Sequence, residues 1–172
     1  MYKFQIQDSE QTLKEGLEEF YSINKEFRVL AEKKSPNASV FQEHDYTHVL
    51  FGLGTSIEEE ALLDTYVIWG MKFRWGVIMD FYKDPEYKEF IGDIVQKFGG
   101  YWGIFKIYFS LLPLKFRVFL RCMRMKKRWH YHDISDDMLN TSLKNLRNEY
   151  NIKLLPLEDI PINRHKITKS LN

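Results

Sequence analysis

Leu13, Leu17, Phe20, Ile23, Phe27 and Leu30 recur every three or four residues near the start of the chain. That spacing gathers them on one stripe of an α-helix, which needs a packing partner. Strand signals are scarce elsewhere, so the chain is constrained to helices packed on helices. Asp8 and Gln11 have capping-box spacing and predict a first helix after Asp8-Ser9. Ser35-Pro36-Asn37 interrupts the stripe, and a second helix is predicted from about Ser39 to Phe51. Gly52-Leu53-Gly54-Thr55-Ser56 ends that helix and caps a third, through either Thr55 with Glu58 or Ser56 with Glu59. The third helix is expected from about Ile57 to Tyr82, with Leu63, Val67, Trp69, Phe73 and Ile78 among its apolar positions. Pro85 suits the first turn of a fourth, which fades at Gly99-Gly100.

From Tyr101 to Leu120 the chain is strongly apolar, but Lys106, Lys115 and Arg117 interrupt it and Pro113 would kink it. A spanning helix needs about 20 mostly apolar residues without such charges. This stretch is therefore read as a core or interfacial helix. A last helix from about Asp136 to Tyr150 precedes an extended tail containing Pro156 and Pro161. The expectation is an all-α, single-domain helical bundle of about six helices spanning 1–172, with a poorly ordered tail from about 156.

At 172 residues and 44% hydrophobic, the chain can fill one sizeable core. One cysteine, Cys122, excludes an internal disulfide framework and is expected as a packed thiol in a reducing compartment. Met1 to Glu10 has neither the apolar core of a signal peptide nor the Arg-rich look of a transit peptide, so a cytoplasmic protein is expected. The net charge of +1 hides an asymmetry: residues 1–100 carry 11 Lys and Arg against 18 Asp and Glu, and residues 101–172 carry 14 against 6. Between Lys115 and Arg128, the residues Lys115, Arg117, Arg121, Arg124, Lys126, Lys127 and Arg128 meet no acid. Such a run suits anionic lipid or phosphate, or simply a solvated helix face. No nucleic-acid partner is expected.

The chemistry-bearing stretch is His44-Asp45-Tyr46-Thr47-His48, followed by Glu58-Glu59-Glu60. Residues four apart on a helix stack on one face, so His44 and His48 can aim both imidazoles at one point. Asp45 adds a carboxylate that is costly to bury without a cation. The short glycine turn folds the start of the third helix beside the end of the second, so one of the three glutamates can complete the set. Spacing alone does not choose among them, and adjacent acids at a helix start also answer the helix dipole. Two imidazoles with carboxylates suit zinc or iron(II) better than magnesium. A zinc protease would carry Glu directly after the first His, and here that position is Asp45. His132-Asp133 offers a second His-Asp pair, but no upstream His and later Asp complete a phosphohydrolase set. His130 and His132 are expected at the surface or an interface.

The segment from His44 to Glu60 reads H-D-x-x-H, then eleven residues, then E. It resembles the signature of the coenzyme Q (ubiquinone) biosynthesis protein 4 family, with a bacterial member implied. Leu143-Lys144-Asn145-Leu146-Arg147-Asn148-Glu149-Tyr150-Asn151-Ile152 resembles that family's closing LxxLRxELGI helix. Asn151 stands in for the usual glycine, which a left-handed cap tolerates. The resemblance implies metal ligands at His44, Asp45, His48 and Glu60, and so selects Glu60 from its triplet.

What the resemblance implies further is an all-helical protein lying peripherally on the inner face of a membrane. It would act in ubiquinone biosynthesis, with zinc as the usual metal and iron as the alternative. It implies decarboxylation of a polyprenylated hydroxybenzoate, with other quinone-biosynthesis enzymes as partners. A metal there would stabilise charge developing on the ring, and Asp45 or Glu60 could shift off it to relay a proton. Tyr101, Trp102, Phe105, Tyr108 and Phe109 are candidates to line a groove for the prenyl chain, or to be ordinary core. Competing readings are a non-catalytic isoprenoid-binding scaffold with a structural metal and a hydrolase of prenyl phosphates. A homodimer contact is a further use for exposed aromatics.

Overall fold

The computed structural model describes residues 1–32, 38–72, 76, 79, 83 and 85–161. The fold is all-α, with almost no strand. Among the described residues the helices are α1 (Leu13–Ile23), α2 (Lys25–Glu32), α3 (Ala38–Phe51), α4 (Ile57–Gly70), α5 (Pro85–Lys97), α6 (Gly100–Ser110), α7 (Leu112–Met123), α8 (Asp136–Leu139) and α9 (Leu143–Tyr150). Short 3-10 turns at Lys3–Gln5 and Leu157–Asp159 flank them. Two-residue strands β1 (Met71–Lys72) and β2 (Trp129–His130) pair in parallel, Met71 opposite Trp129.

Several expected helices are divided, each for a local reason. The first begins at Leu13 rather than after Ser9, because Thr12 and Glu15 form the capping box instead of Asp8 and Gln11. It breaks at Asn24, whose side chain donates to the Phe20 carbonyl at 3.1 Å and accepts from Thr55 Oγ1 at 3.2 Å. Asn competes with the helical ladder in this way, and the apolar stripe bends into α1 and α2. The third helix stops at Gly70, where Met71 turns extended to meet Trp129. Phe73, Ile78, Tyr82 and the Ser35-Pro36-Asn37 break lie outside the described residues. The apolar stretch divides at Leu111, and Pro113 sits in the first turn of α7 instead of kinking a longer helix. The last helix divides into α8 and α9, with Ser142 capping the latter. Beyond it Leu155 and Ile160 are buried, so the chain still packs on the core as far as Ile160.

The main core runs through α1, α3, α4, α7 and α9 and includes Phe20, Leu50, Leu62, Trp129 and Leu143, and a smaller cluster gathers around Ile57 and Ile94. α1 meets α3 closely at Gly16, where an added Cβ would lie 2.5 Å from Val49 Cγ1. Gly52 ends α3 with φ +66°, and a Cβ there would also strike Leu154. Asn151 closes α9 in the left-handed conformation, as its sequence position led us to expect.

Arg147 is 0% exposed and has no carboxylate partner among the described residues. Its guanidinium instead donates to five carbonyls. Nε reaches Leu50 at 2.9 Å, Nη1 reaches Ile6 at 2.5 Å and Gln7 at 3.3 Å, and Nη2 reaches Phe4 at 2.6 Å and Val49 at 2.8 Å. Val49 and Leu50 sit in the last turn of α3, where carbonyls lack helical partners and a cation suits the dipole. Burial lowers the group to about 10, so it stays charged at neutral pH. Arg147→Met should cost roughly 3–5 kcal/mol, seen as a lower denaturant midpoint. Arg147→Lys should recover only part of that loss, because an ammonium cannot reproduce the five-donor fork.

Cys122 is buried against Gly70, and burial pushes its thiol up to about 12. Alkylation by iodoacetamide at pH 8 should be on the order of a thousandfold slower in the folded protein than in denaturant.

Candidate metal centre

α3 presents His44 and His48 one turn apart on the same face, their ring centroids 4.8 Å apart. The turn after Gly52 brings the first turn of α4 alongside them. Ser56 is the N-cap, and Glu59 closes the box: its carboxylate accepts from Gly54 N at 2.7 Å, Ser56 N at 3.2 Å and Ser56 Oγ at 2.7 Å. Glu59 is thereby committed to the backbone. Glu58 is buried, with Oε2 unpartnered. Glu60 faces the histidines, with Oε1 3.3 Å from His48 Nε2 and Oε2 3.8 Å from His44 Nε2.

Asp45 approaches from the other side. Its Oδ1 lies 3.9 Å from His44 Nδ1, and its Oδ2 accepts from the Tyr21 hydroxyl at 3.0 Å. One ligand atom from each of His44, Asp45 and His48 falls within 4.8 Å of the others. The four residues thus gather around His44, with Glu60 facing its Nε2 and Asp45 its Nδ1. Phe20 stacks on the His48 ring at 5.0 Å between centroids, and Phe27 meets it edge-on at 6.1 Å. The bend at Asn24 sets these two rings around the imidazole.

His48 is 0% exposed, and neither ring nitrogen has a partner with hydrogen-bond geometry. Leaving a buried polar group unpaired costs about 1–3 kcal/mol. A divalent cation would pair Nε2 and offset the carboxylate repulsion. Burial, then the charge on His44, holds His48 well below its ordinary value against a weaker pull from the Gly54 and Leu53 backbone. It is therefore neutral, as a ligand must be. Burial pushes Glu60 up to about 8, helped by Asp64, Asp45 and Glu59 and opposed by His44. Burial also pulls His44 down, but Asp45 and Glu60 outweigh it and leave the ring above its usual value. Two imidazoles and a carboxylate suit zinc or iron(II), and the second carboxylate joins them only if a side chain turns, because Asp45 and Glu60 face opposite nitrogens of the His44 ring. His44, 31% exposed at its side chain, is where the cluster meets solvent.

Around this cluster lie residues that sequence reasoning missed. Tyr21 holds Asp45, but nothing in the spacing marks it, since it lies beside the apolar stripe. Asp64, one turn beyond Glu60 on α4, accepts from the Tyr108 hydroxyl at 2.8 Å. Of the five aromatics considered for a prenyl groove, Tyr108 alone turns toward α4; Tyr101, Trp102, Phe105 and Phe109 are exposed on the outer side of α6. His132, expected at the surface or an interface, is tucked against α3, its Nδ1 2.7 Å from Glu43 Oε2. It belongs to a different neighbourhood from His44 and His48.

Compared with known proteins, the chain matches no family, no curated sequence and no solved structure. Zinc at about a hundredfold over its dissociation constant should stabilise the wild type by about 2.7 kcal/mol, raising its melting midpoint by several degrees. His44→Ala and Glu60→Ala should lose that response while still folding, because both side chains are partly solvent-accessible.

Proposed function

We propose that this protein is a metal-dependent carboxy-lyase of ubiquinone biosynthesis, removing the ring carboxyl from a polyprenylated hydroxybenzoate at a membrane surface. The observation that carries the reading is the convergence of Glu60 on the Nε2 atoms of His44 and His48, with both His48 nitrogens buried and unpartnered. The H-D-x-x-H…E spacing supports it, as does the second resembling segment, because Arg147 from that segment bonds the last turn of the histidine-bearing helix. No described helix is long and apolar enough to cross a membrane, which suits a protein working from the surface.

His44, His48, Asp45 and Glu60 would hold the metal, which when bound supplies Lewis acidity toward a carboxylate or phenolate. The residues supply the rest. Loss of carbon dioxide breaks the bond between ring and carboxyl carbon and leaves its electron pair on the ring, which then takes a proton. Glu60, ionised while it holds the metal, could shift off it to relay a solvent proton to that carbon. Solvent would restore the proton past His44, whose side chain is 31% exposed. Asp45, held by Tyr21, fixes the orientation of the His44 ring. Phe20 and Phe27 exclude water from His48.

A scaffold reading, in which the metal is structural and the protein gathers other quinone-biosynthesis enzymes, is favoured by the complete burial of His48 and Asp45. A structural site is closed, and a catalytic one keeps an open position. Metal analysis by mass spectrometry should find one zinc or iron per chain, absent from His44→Ala and Glu60→Ala. Decarboxylation of a prenylated hydroxybenzoate should fall at least a hundredfold in His48→Ala. Full turnover by metal-free His48→Ala would overturn the metal-dependent mechanism, and stoichiometric metal without turnover in the wild type would favour the scaffold.

A further inference from the structure

Two consecutive helices turn their apolar faces outward. On α7, Leu112, Phe116, Leu120 and Met123 are exposed, while Val118 and Cys122 pack inward. On α6, Tyr101, Trp102, Phe105 and Phe109 are exposed, and the helix buries no residue fully. Leu111 alone joins the two helices. A helix at the surface of a water-soluble bundle directs charged and polar groups outward. Here Tyr101 is 81% exposed, Phe109 62% and Phe116 60%. Phe105 stacks on Trp102 at 5.3 Å and on Phe109 at 5.9 Å, so the rings form a continuous strip. A contiguous apolar surface of this kind marks a site of interaction.

Cations border the strip on one side. In α-helical projection Leu112, Met123, Phe116 and Leu120 occupy the outward arc of α7, and Arg124, Arg117 and Arg121 follow on its flank. With Leu120, Asn151 and Lys153, these arginines line an open cleft of about 400 Å³. Arg117 donates to Asp159 at 2.7 Å, and Arg121 donates to the Lys153 and Leu154 carbonyls at 3.1 and 2.8 Å. Among the described residues, Asp159 is the only acid within ion-pair distance of these four cations. The cleft therefore keeps a strong positive excess.

We propose that α6 and α7 dock on an anionic phospholipid bilayer. The apolar strip enters the boundary between headgroups and acyl chains, and the cleft formed by Arg117, Arg121, Arg124 and Lys153 seats headgroup phosphates. Tyr101 and Trp102 are the amphipathic ring types that favour this interface. Charge selects a bilayer over a second copy of the chain. A two-fold contact across the same patch would bring one arginine cluster toward another with only Asp159, already held by Arg117, to offset the repulsion. The proposal deepens the membrane part of the function given above by assigning its surface and its lipid. Tyr108 on α6, bonded to Asp64 one turn beyond Glu60, connects the docking helices to the metal cluster. Vesicle binding and metal content are separate readouts, so either reading can fail without the other.

The test is co-sedimentation of the full chain with phosphatidylcholine vesicles and with mixed phosphatidylcholine–phosphatidylglycerol vesicles. The wild type should bind the mixed vesicles more tightly, and added salt should weaken that preference. Arg124→Gln with Lys153→Gln should weaken binding to mixed vesicles about thirtyfold, at ~1 kcal/mol per removed charge. Phe109→Ser with Phe116→Ser should reduce binding to both vesicle types, with the far-ultraviolet circular dichroism unchanged. Equal affinity of the wild type for neutral and mixed vesicles would overturn the proposal, and this arm needs no variant to fold. So would a dimer in ultracentrifugation, dissociated by Phe116→Ser, in a chain that binds neither vesicle: a second copy would then cover the face.

Discussion

One guanidinium joins parts of the chain that otherwise have little to hold them together. Arg147 comes from α9, near the end of the described chain, and its five carbonyl acceptors lie in the N-terminal segment and in the last turn of α3. A helix end leaves carbonyls unsatisfied, and here a buried cation supplies donors where water cannot reach. A carboxylate partner would consume the fork on one side chain. Without one, all five donors are available to backbone. The helix that carries His44 and His48 is thus fixed at its C-terminal end, immediately before the turn that sets Glu60.

That fixation makes the candidate metal cluster sterically specific. Glu59 is occupied with capping α4, so the helix start is anchored to the turn and Glu60 has one direction left toward α3. The capping arrangement and the ligand arrangement are one piece of geometry, because adjacent positions on a helix differ by about 100°. Burial then works against the charges it gathers. Asp45 and Glu60 are both pushed up from the usual carboxylate range, chiefly by desolvation, while His48 is pushed down. All three shifts disfavour the charged form, as burial does, while the two carboxylates hold His44 above its usual value.

On the far side of α4 the same helices serve a different environment. α7 packs Val118 and Cys122 against the core and leaves its phenylalanine and leucine side chains outside. Several cations of the basic run have structural work as well: Arg117 holds Asp159, Arg121 caps carbonyls, and Lys127 pairs with Glu149 at 2.5 Å. A run that reads as one featureless positive stretch is therefore divided between fold and surface.

The helical class, the pairing of His44 with His48 and the left-handed cap at Asn151 were all legible in the sequence, because each depends on contacts within a few residues. The choice of cap was half legible: two pairs, Thr55–Glu58 and Ser56–Glu59, had the right spacing, and the geometry of the turn decided between them. The divisions at Asn24 and Leu111 escaped, since an unbroken apolar stripe reads alike whether the helix beneath it is straight or bent. Arg147 carried a signal, a charge set among Leu143, Leu146 and Tyr150 on a buried stripe, yet its partners lie about 100 or more residues away and no local pattern names them. Likewise composition showed that the chain is rich in aromatics but not which rings face outward. Local periodicity determined which residues share a helix face. Only the packing of distant segments decided which faces meet, because burial belongs to the assembled bundle and not to any one helix.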